Sequence, residues 1–525
     1  MLAVEQLERL EQRRLAIQQS QDRARSAQQR NRLGQFATAA PLALEMLQFA
    51  RGLLGSQPVR FLDPAIGTGA FYAALLRLWP IARISAAIGF EIDAHYAQPC
   101  RRLWRATPLE LRCEDFTSAA APAQQHARVN LLICNPPYVR HHHLQRVDKA
   151  RLQQRSMQAS GVRLSGMAGL YAHFITTAHC WMREDAIAGW LIPSEFMDVN
   201  YGHALKHYLL NAVTLLRIHR FDPMQCQFRD ALVSSAIVWL RNRKPAPTHQ
   251  VEFSYGGSLS QPQSRGLATV HQLQPQDRWT GYPAALPAAR RVTRDASASR
   301  DVAATTLGAL FRIKRGIATG ANAFFIMTAA RAAERGIPRE CLRPILPSAR
   351  RLDSDQVPAN EDGEPLIAHA LWLLDCRLPE VEIRAHYPRL WRYLDEGRAT
   401  VGRGYLCARR TPWYAQERRE PTAFLCTYMA RGRERAGAGA GRFIFNRSQA
   451  IVANSYLMLY PREPLARYIG ADPQHARSVW QALKSIGSAA MIAAGRVYGG
   501  GLYKLEPREL TAITAPSLAA LLNAI

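Results

Sequence analysis

The chain has 525 residues, 48% of them hydrophobic, with a formal net charge of +26 and a pI near 10.3. That length and apolar content allow two or three packed cores, and no apolar run approaches the roughly 18 to 20 residues of a membrane span. The excess of base over acid, carried almost entirely by arginine, argues against a basic or neutral partner surface and points to a polyanion such as nucleic acid, or to an anionic surface.

Residues 1–30, MLAVEQLERLEQRRLAIQQSQDRARSAQQR, are charged and glutamine-rich, with apolar residues at helical spacing. They predict a helical extension with no signal-peptide core, and hence a cytoplasmic protein. Nine cysteines without a CxxC pair fit reduced thiols in a reducing compartment. From about residue 59 to 240, short apolar strands alternate with helical stretches, the pattern of an α/β domain with a largely parallel sheet. The predicted strands are 59–62, 86–90, 109–112, 130–134, 187–192, 215–220 and 233–240, with helices over 70–79 and 170–182. The domain is taken as 31–245. Residues 246–304, rich in Gln, Pro, Ser, Ala and Arg, read as a linker or irregular segment. A second globular region follows over 305–525, punctuated by glycine, aromatics and arginine. Within it, RERAGAGAGR at 433–442 reads as a flexible surface loop.

Three strand ends in succession carry candidate ligand groups. VRFLDPAIGTGAF (59–71) is a strand, an acid, a glycine turn and a helix; Gly67 and Gly69 let the backbone approach a ligand closely. IGFEIDAH places Glu91 after the next strand, about where an acid meets ribose hydroxyls in nucleoside-binding sheets. LRCEDF places Asp115 and Phe116 after the third, where an acid can accept from an adenine amino group and a ring can cover its face. The fourth strand ends in CNPPYVR (134–140). Its two prolines fix φ and end the strand abruptly, holding the Asn135 amide on a stiff corner. His141, His142 and His143 read as a polar loop facing phosphate, and no metal site is expected.

Together these motifs resemble a class I S-adenosylmethionine-dependent methyltransferase. More narrowly, the chain resembles the N6-adenine DNA methyltransferases of type II restriction–modification systems, in their gamma motif order. The resemblance implies an α/β fold, with a mostly parallel seven-stranded sheet and helices on both faces, followed by a C-terminal mixed α+β target-recognition domain. NRLGQFATAAPLALEMLQFA (31–50) resembles the family's N-terminal motif, with Ala37 and Ala39 in place of an aromatic and a proline. S-adenosylmethionine is the implied cofactor. Its binding residues would be Phe36, Thr38, Asp63, Ala65, Gly67, Glu91, Ile92, Asp115, Phe116 and Asn135.

The resemblance makes Asn135 and Pro136 catalytic, their side-chain and main-chain oxygens accepting from the two N–H groups of the adenine N6 amine. Tyr138 would stack on a flipped-out base, and Phe228 would face it, with Phe221 competing for that place. In the second region Arg312, Lys314, Arg315, Arg409, Arg410, Arg418, Arg419, Arg431 and Arg433 supply positive charge, and Tyr498, Tyr503 and Lys504 are candidate contacts. Of these, Arg315, Arg409, Arg410, Tyr503 and Lys504 are taken as the DNA-binding set. The implied partners are double-stranded DNA and a cognate restriction endonuclease sharing the site, without a stable complex; the chain is expected to act as a monomer. The same Asn-Pro-Pro-Tyr signature also serves enzymes that methylate an RNA base or a protein glutamine amide, which remains the alternative.

Overall fold

The computed structural model describes residues 4–223, 225, 227–228, 233–282, 305–431, 441–498 and 502–523. The chain divides into two units, Met1–Ala298 with Tyr498–Gly500, and Ser299–Val497 with Gly501–Ile525. Among the described residues no helix is long and apolar enough to cross a membrane.

The first unit begins with helices α1 (Val4–Arg23), α2 (Ala27–Leu33) and α3 (Ala40–Leu54). In α3, Leu42, Ala43, Met46, Leu47, Ala50 and Leu54 recur at helical spacing and are buried. Pro41 opens this helix and Gly55 closes it. The sheet is built from β1 (Val59–Asp63), β2 (Ile84–Phe90), β3 (Leu109–Arg112), β4 (Val129–Cys134), β5 (Met182–Pro193), β6 (Thr214–Arg220), β7 (Ser235–Arg241), β8 (Gln250–Gly257) and β9 (Pro262–Thr269). Between them lie α4 (Ala70–Leu78), α5 (Ala94–Trp104), α6 (Arg146–Ser160), α7 (Leu170–Thr177) and α8 (His203–Asn211).

The strand order is β3-β2-β1-β4-β5-β7-β6-β8-β9. The first five of these run parallel, and β7 is antiparallel to both β5 and β6. β1 and β4 are neighbours although 66 residues separate their ends in sequence order from Asp63 to Val129. They mark the point where strand order reverses, beyond whose carboxyl ends open α/β sheets bind ligands.

The two faces of β4 alternate cleanly. Leu132 and Cys134 pack with Leu62, Phe90, Trp190 and Trp181 on one side. Leu131 and Ile133 pack with Phe61, Leu191 and Trp239 on the other. The polar residue of this strand, Asn130, is buried because its amide spans two backbone groups, donating to the Pro58 carbonyl at 2.8 Å and accepting from the Arg60 N–H at 2.8 Å.

Three expectations change. The sheet has nine strands rather than seven, since β8 pairs parallel with β6 and β9 pairs antiparallel with β8. Residues 250–269 of the expected linker therefore belong to the sheet; residues 283–304 lie outside the described residues. The outermost strand, PQSRGLAT, has a single buried residue, so as a polar edge strand it carries a linker's composition. The helix expected over 170–182 ends as a helix at Thr177 and finishes in a short 3₁₀ turn, Ala178–Trp181.

The second unit holds β10 (Phe311–Arg315), β11 (Ile326–Met327), β12 (Leu342–Leu346), β13 (Gln356–Val357), β14 (Leu371–Leu374), β15 (Phe424–Thr427), β16 (Met429–Arg431), β17 (Phe443–Asn446), β18 (Ile451–Val452) and β19 (Tyr456–Pro461). Nine of them form a five-stranded sheet, β10-β19-β15-β17-β13, and a four-stranded sheet, β11-β14-β12-β18, while β16 pairs antiparallel with a further strand, Leu502–Lys504, in a small third sheet. Helices such as Glu380–His386, Pro388–Arg398 and Pro473–Lys484 pack beside them. This is the mixed α+β character expected. The loop expected over 433–442 lies largely outside the described residues.

The packing across β5 gives a direct test. A Cβ added at Gly189 would lie 2.5 Å from the Trp239 ring and 3.0 Å from Ile133. Gly189→Ala is therefore expected to cost about 1–3 kcal/mol, seen as a lowered midpoint in thermal or urea unfolding.

Candidate active site

The carboxyl ends of β1, β2, β3 and β4 open onto one cleft with a cavity volume of about 150 Å³, lined by a mixture of apolar groups and a few polar ones, as ligand sites are. Phe36, Ala65, Gly67, Glu91, Ile92, Asp115, Phe116 and Asn135 all line it. Asp63 lies beneath, buried, with its Oδ1 accepting from the Ala65 N–H at 3.1 Å. Burial pushes the Asp63 carboxyl up to about 8, against the pull of the Ala65 amide and the Cys134 thiol.

Glu91 ties the second strand end to the glycine turn. Its carboxylate accepts from the Gly67 N–H at 3.1 Å and the Asp93 N–H at 2.9 Å. Burial still dominates and raises its pKa to about 7. Gly67 and Gly69 both hold positive φ, 56° and 92°. At Gly69 a Cβ would also meet the Trp104 indole nitrogen at 2.6 Å.

At the third strand end the residues are present but already engaged. Asp115 accepts from the Thr117 N–H and hydroxyl, from the Ser118 hydroxyl at 3.1 Å and from the Arg151 guanidinium at 3.0 Å. Both of its oxygens thus have protein donors, and an adenine amine would have to share them. The Phe116 ring is buried against Phe90, Phe174 and Trp181. Ile92 is the exposed apolar surface here, 71% accessible at the cleft wall.

The proline corner sits where the sequence places it. Asn135 donates from Nδ2 to the Phe36 carbonyl at 2.8 Å and to the Thr38 hydroxyl at 3.1 Å. Its Oδ1 is buried and has no hydrogen-bond partner. The corner is strapped to the segment before α3 by the Tyr138 N–H, which donates to the Gly34 carbonyl at 3.1 Å. Gly34 holds φ +68°, and a Cβ there would lie 2.4 Å from the Tyr138 amide nitrogen. No other residue fits that approach without moving the corner.

Tyr138 is buried, its hydroxyl donating to the Leu191 carbonyl at 3.0 Å. Its ring stands 5.5 Å from Phe36 and 5.6 Å from Phe228, which are 5.4 Å from each other. The three rings pack as a triad rather than as an open slot, so a base stacking on Tyr138 must part them. Phe221 stands apart from the triad, edge-on to His219 at 4.7 Å.

Helix α1 is the feature sequence reasoning missed. Expected as an extension, it forms part of the cleft wall through Gln18 and Asp22. Thr68 of the glycine turn donates to Gln18 at 2.7 Å, Tyr96 donates to Asp22 at 2.9 Å, and Arg25 pairs with Asp93. The buried Arg14 binds Glu11 at 2.7 Å and Thr68 at 3.3 Å. The sequence shows a polar amphipathic helix and not what its polar face touches. Among the described residues, the resulting cleft is lined by Asp22, Glu91, Glu114 and Asp115 and by no lysine, arginine or histidine.

In the second unit the expected DNA-binding set divides. Arg315 and Arg409 are exposed and lie over the rings of Tyr428 and Tyr405, at 4.2 Å and 3.8 Å. Arg410 is committed inward, donating to the Ala318 and Thr319 carbonyls at 2.6 and 2.9 Å and to Gln416 at 3.1 Å. It clamps two loops together instead of facing solvent. Lys504 is paired with Glu506 at 2.8 Å, and Tyr503 packs half-buried against the core. Arg433 lies outside the described residues, as do the side chains of Arg431 and Tyr498.

Comparison with known proteins now bears on this arrangement. The family model of the C-terminal domain of the type II methyltransferase M.Eco57I matches residues 276–524, and that of the Eco57I restriction–modification methylase matches residues 106–226. The chain belongs to the type II restriction–modification methyltransferases. Type II methyltransferase M.XamI of Xanthomonas campestris pv. amaranthicola is 29% identical over 500 residues, covering 93% of this chain and 86% of that one. M.AccI of Acinetobacter calcoaceticus is 24% identical over 519 residues, covering 94% and 87%. Among solved structures, the type IIL restriction–modification enzyme MmeI, in complex with DNA, superposes with a TM-score of 0.56 at 14% identity, over 93% of this chain and 69% of that one. That likeness shows a shared fold in this methyltransferase.

The raised acids set a pH dependence. Between the unperturbed value of 4.5 and about 7, Glu91 holds more proton in the folded protein than in the unfolded chain. Stability therefore falls as pH rises through that window, and Asp63 extends the fall from 3.8 towards about 8. Unfolding midpoints measured from pH 5 to 8.5 should decline, and Glu91→Gln should flatten the part of the slope below pH 7.

Proposed function

We propose that this methyltransferase transfers a methyl group from S-adenosylmethionine to the N6 amine of an adenine extruded from duplex DNA, protecting host DNA from a restriction endonuclease that cuts the same site. Bound in the cleft, S-adenosylmethionine supplies an electrophilic methyl group on a cationic sulfonium. An acid-lined cleft in a chain of net charge +26 suits a cationic small molecule and sets it apart from the polyanion the rest of the surface attracts. In this reading Glu91 takes the ribose hydroxyls, and Ile92, with Phe116 behind it, covers the adenine face. In the same reading the Ala65 and Gly67 backbone and Phe36, which line the cleft, take the remainder of the cofactor, and Thr38 acts from beside them through the Asn135 amide.

The observation that carries the reading is the Asn135 side chain. A buried acceptor left unmade costs about 1–3 kcal/mol, and here both Nδ2 bonds, to Phe36 and Thr38, fix the amide so that Oδ1 is the unspent end. The Pro136 carbonyl, which accepts no hydrogen bond among the described residues, is the natural second acceptor. Two acceptors drawing on the two N–H groups of an exocyclic amine localise its lone pair on nitrogen. A neutral amide does this without adding a charge that would stabilise the sulfonium before reaction. The proton lost from N6 passes to solvent.

An adenine inside a duplex cannot reach this corner, so it must be flipped. The Phe36–Tyr138–Phe228 triad is where its face would stack. Asn135→Ala is expected to lower methylation by roughly 10²–10³-fold, the size of effect for one preorganised polar group, while the S-adenosylmethionine dissociation constant stays within a few-fold. Mass spectrometry of digested DNA for N6-methyladenine, beside calorimetry of the cofactor, reads both. Undiminished methylation in the variant defeats the mechanism; methyl incorporation into RNA or protein but not DNA defeats the substrate.

A further inference from the structure

The second unit presents one pair of adjacent large apolar residues to solvent among the described residues: Tyr405, 69% exposed, and Leu406, 38% exposed. Tyr405 is also the sole aromatic among the exposed large hydrophobics described there. Leaving such a pair in water forgoes burial that a loop of this kind could reach by turning inward. The loop cannot turn, because it is anchored on both sides of the pair.

Gly404 donates to the Val401 carbonyl at 2.9 Å, and Ala408 to Gly404 at 2.9 Å. Beneath the pair, Cys407 is buried with its thiol directed at the Thr319 carbonyl, and Arg410 clamps the Ala318 and Thr319 carbonyls. The neighbouring loop comes so close that a Cβ on Gly320 would lie 3.2 Å from both the Cys407 Sγ and the Leu406 Cβ. Gly320 holds φ +87°. The pair is thus held outward by a rigid base.

Its surroundings select the partner. Residues 397–416 contain four arginines and no acid. Arg398 is spent on Glu380 and Asp395, and Arg410 on backbone. Arg403 is exposed and makes no hydrogen bond or ion pair among the described residues. Arg409 covers one face of the Tyr405 ring, at 3.8 Å, and also donates to its hydroxyl. An aromatic and an aliphatic tip between unopposed arginines suits a ligand with flat apolar faces between phosphates. Apolar wedges between base steps and aromatic platforms for unstacked bases are both of this form.

We propose that Tyr405 and Leu406 form a wedge that stacks on bases of the target duplex, with Arg403 and Arg409 on the flanking phosphates. This rests on the reading of DNA as the substrate and adds the element that grips it. The test is fluorescence anisotropy with a labelled duplex carrying the methylated site, mapped beforehand by sequencing modified bases, across a salt series. Tyr405→Ala should weaken binding roughly tenfold with an unchanged salt slope, and Tyr405→Trp should stay within about threefold of the parent. Arg409→Ala should reduce the slope by about one. Melting midpoint and S-adenosylhomocysteine binding should not move in any of the three. Parent-like binding by Tyr405→Ala overturns the wedge, and so does a lowered melting midpoint that accounts for its loss of affinity. A parent protein that binds no duplex at all is a separate failure, of the DNA reading itself.

Discussion

One amide orientation organises the first unit. The Phe36 carbonyl and Thr38 hydroxyl take the Nδ2 donors of Asn135, and the Oδ1 that remains is buried without a partner. Several independent features converge to hold that state. β4 is buried on both faces and ends at Cys134, so the corner starts from a fixed point. Two prolines restrict the backbone beyond it, and the Gly34 carbonyl accepts from the Tyr138 N–H where a Cβ on residue 34 would lie 2.4 Å from the Tyr138 nitrogen, an approach only glycine tolerates. Mobility in any of these would let the amide rotate or find a protein donor, and its acceptor would be lost.

Charge is partitioned as deliberately as geometry. The chain as a whole is strongly basic, yet the charged residues of the cleft wall are all acids among the described residues, and burial raises Glu91 and Asp63 far from the ordinary carboxylate range. Helix α1 helps to complete that wall. Its Arg14 pairs with Glu11 and reaches Thr68, and Arg25, just beyond the helix, pairs with Asp93, so two of the chain's cations are neutralised locally beside the acid-lined cleft. In the second unit several arginines lie over aromatic rings, as Arg315 does on Tyr428 and Arg409 on Tyr405 at 3.8 Å. Stacking holds a guanidinium in place without neutralising it.

What the sequence disclosed follows from what periodicity and local motif can encode. The seven strands from 59 to 240 were legible because each is a short apolar run between breakers, and Asp63, Gly67, Glu91 and Asn135 were legible because each stands at a strand end. The β8–β9 hairpin was not, because an exposed edge strand such as PQSRGLAT has the composition of a linker. The cleft role of Gln18 and Asp22 was hidden since it depends on contacts some 50 to 75 residues away in the chain, to Thr68 and Tyr96. Arg410 and Lys504 looked like free cations, and only tertiary structure reveals the carbonyls and the carboxylate that occupy them. Asp115 was found at the right place, but its engagement by Thr117, Ser118 and Arg151 was not written in LRCEDF.

The most direct measurement is a structure of the protein with S-adenosylhomocysteine and a duplex containing its methylation site. The account predicts an extruded adenine whose N6 lies about 2.7–3.2 Å from the Asn135 Oδ1 and the Pro136 carbonyl, with the Phe36–Tyr138–Phe228 rings parted around the base. An Asn135 Oδ1 bonded instead to a protein group or a trapped water, with the target base elsewhere, would contradict it.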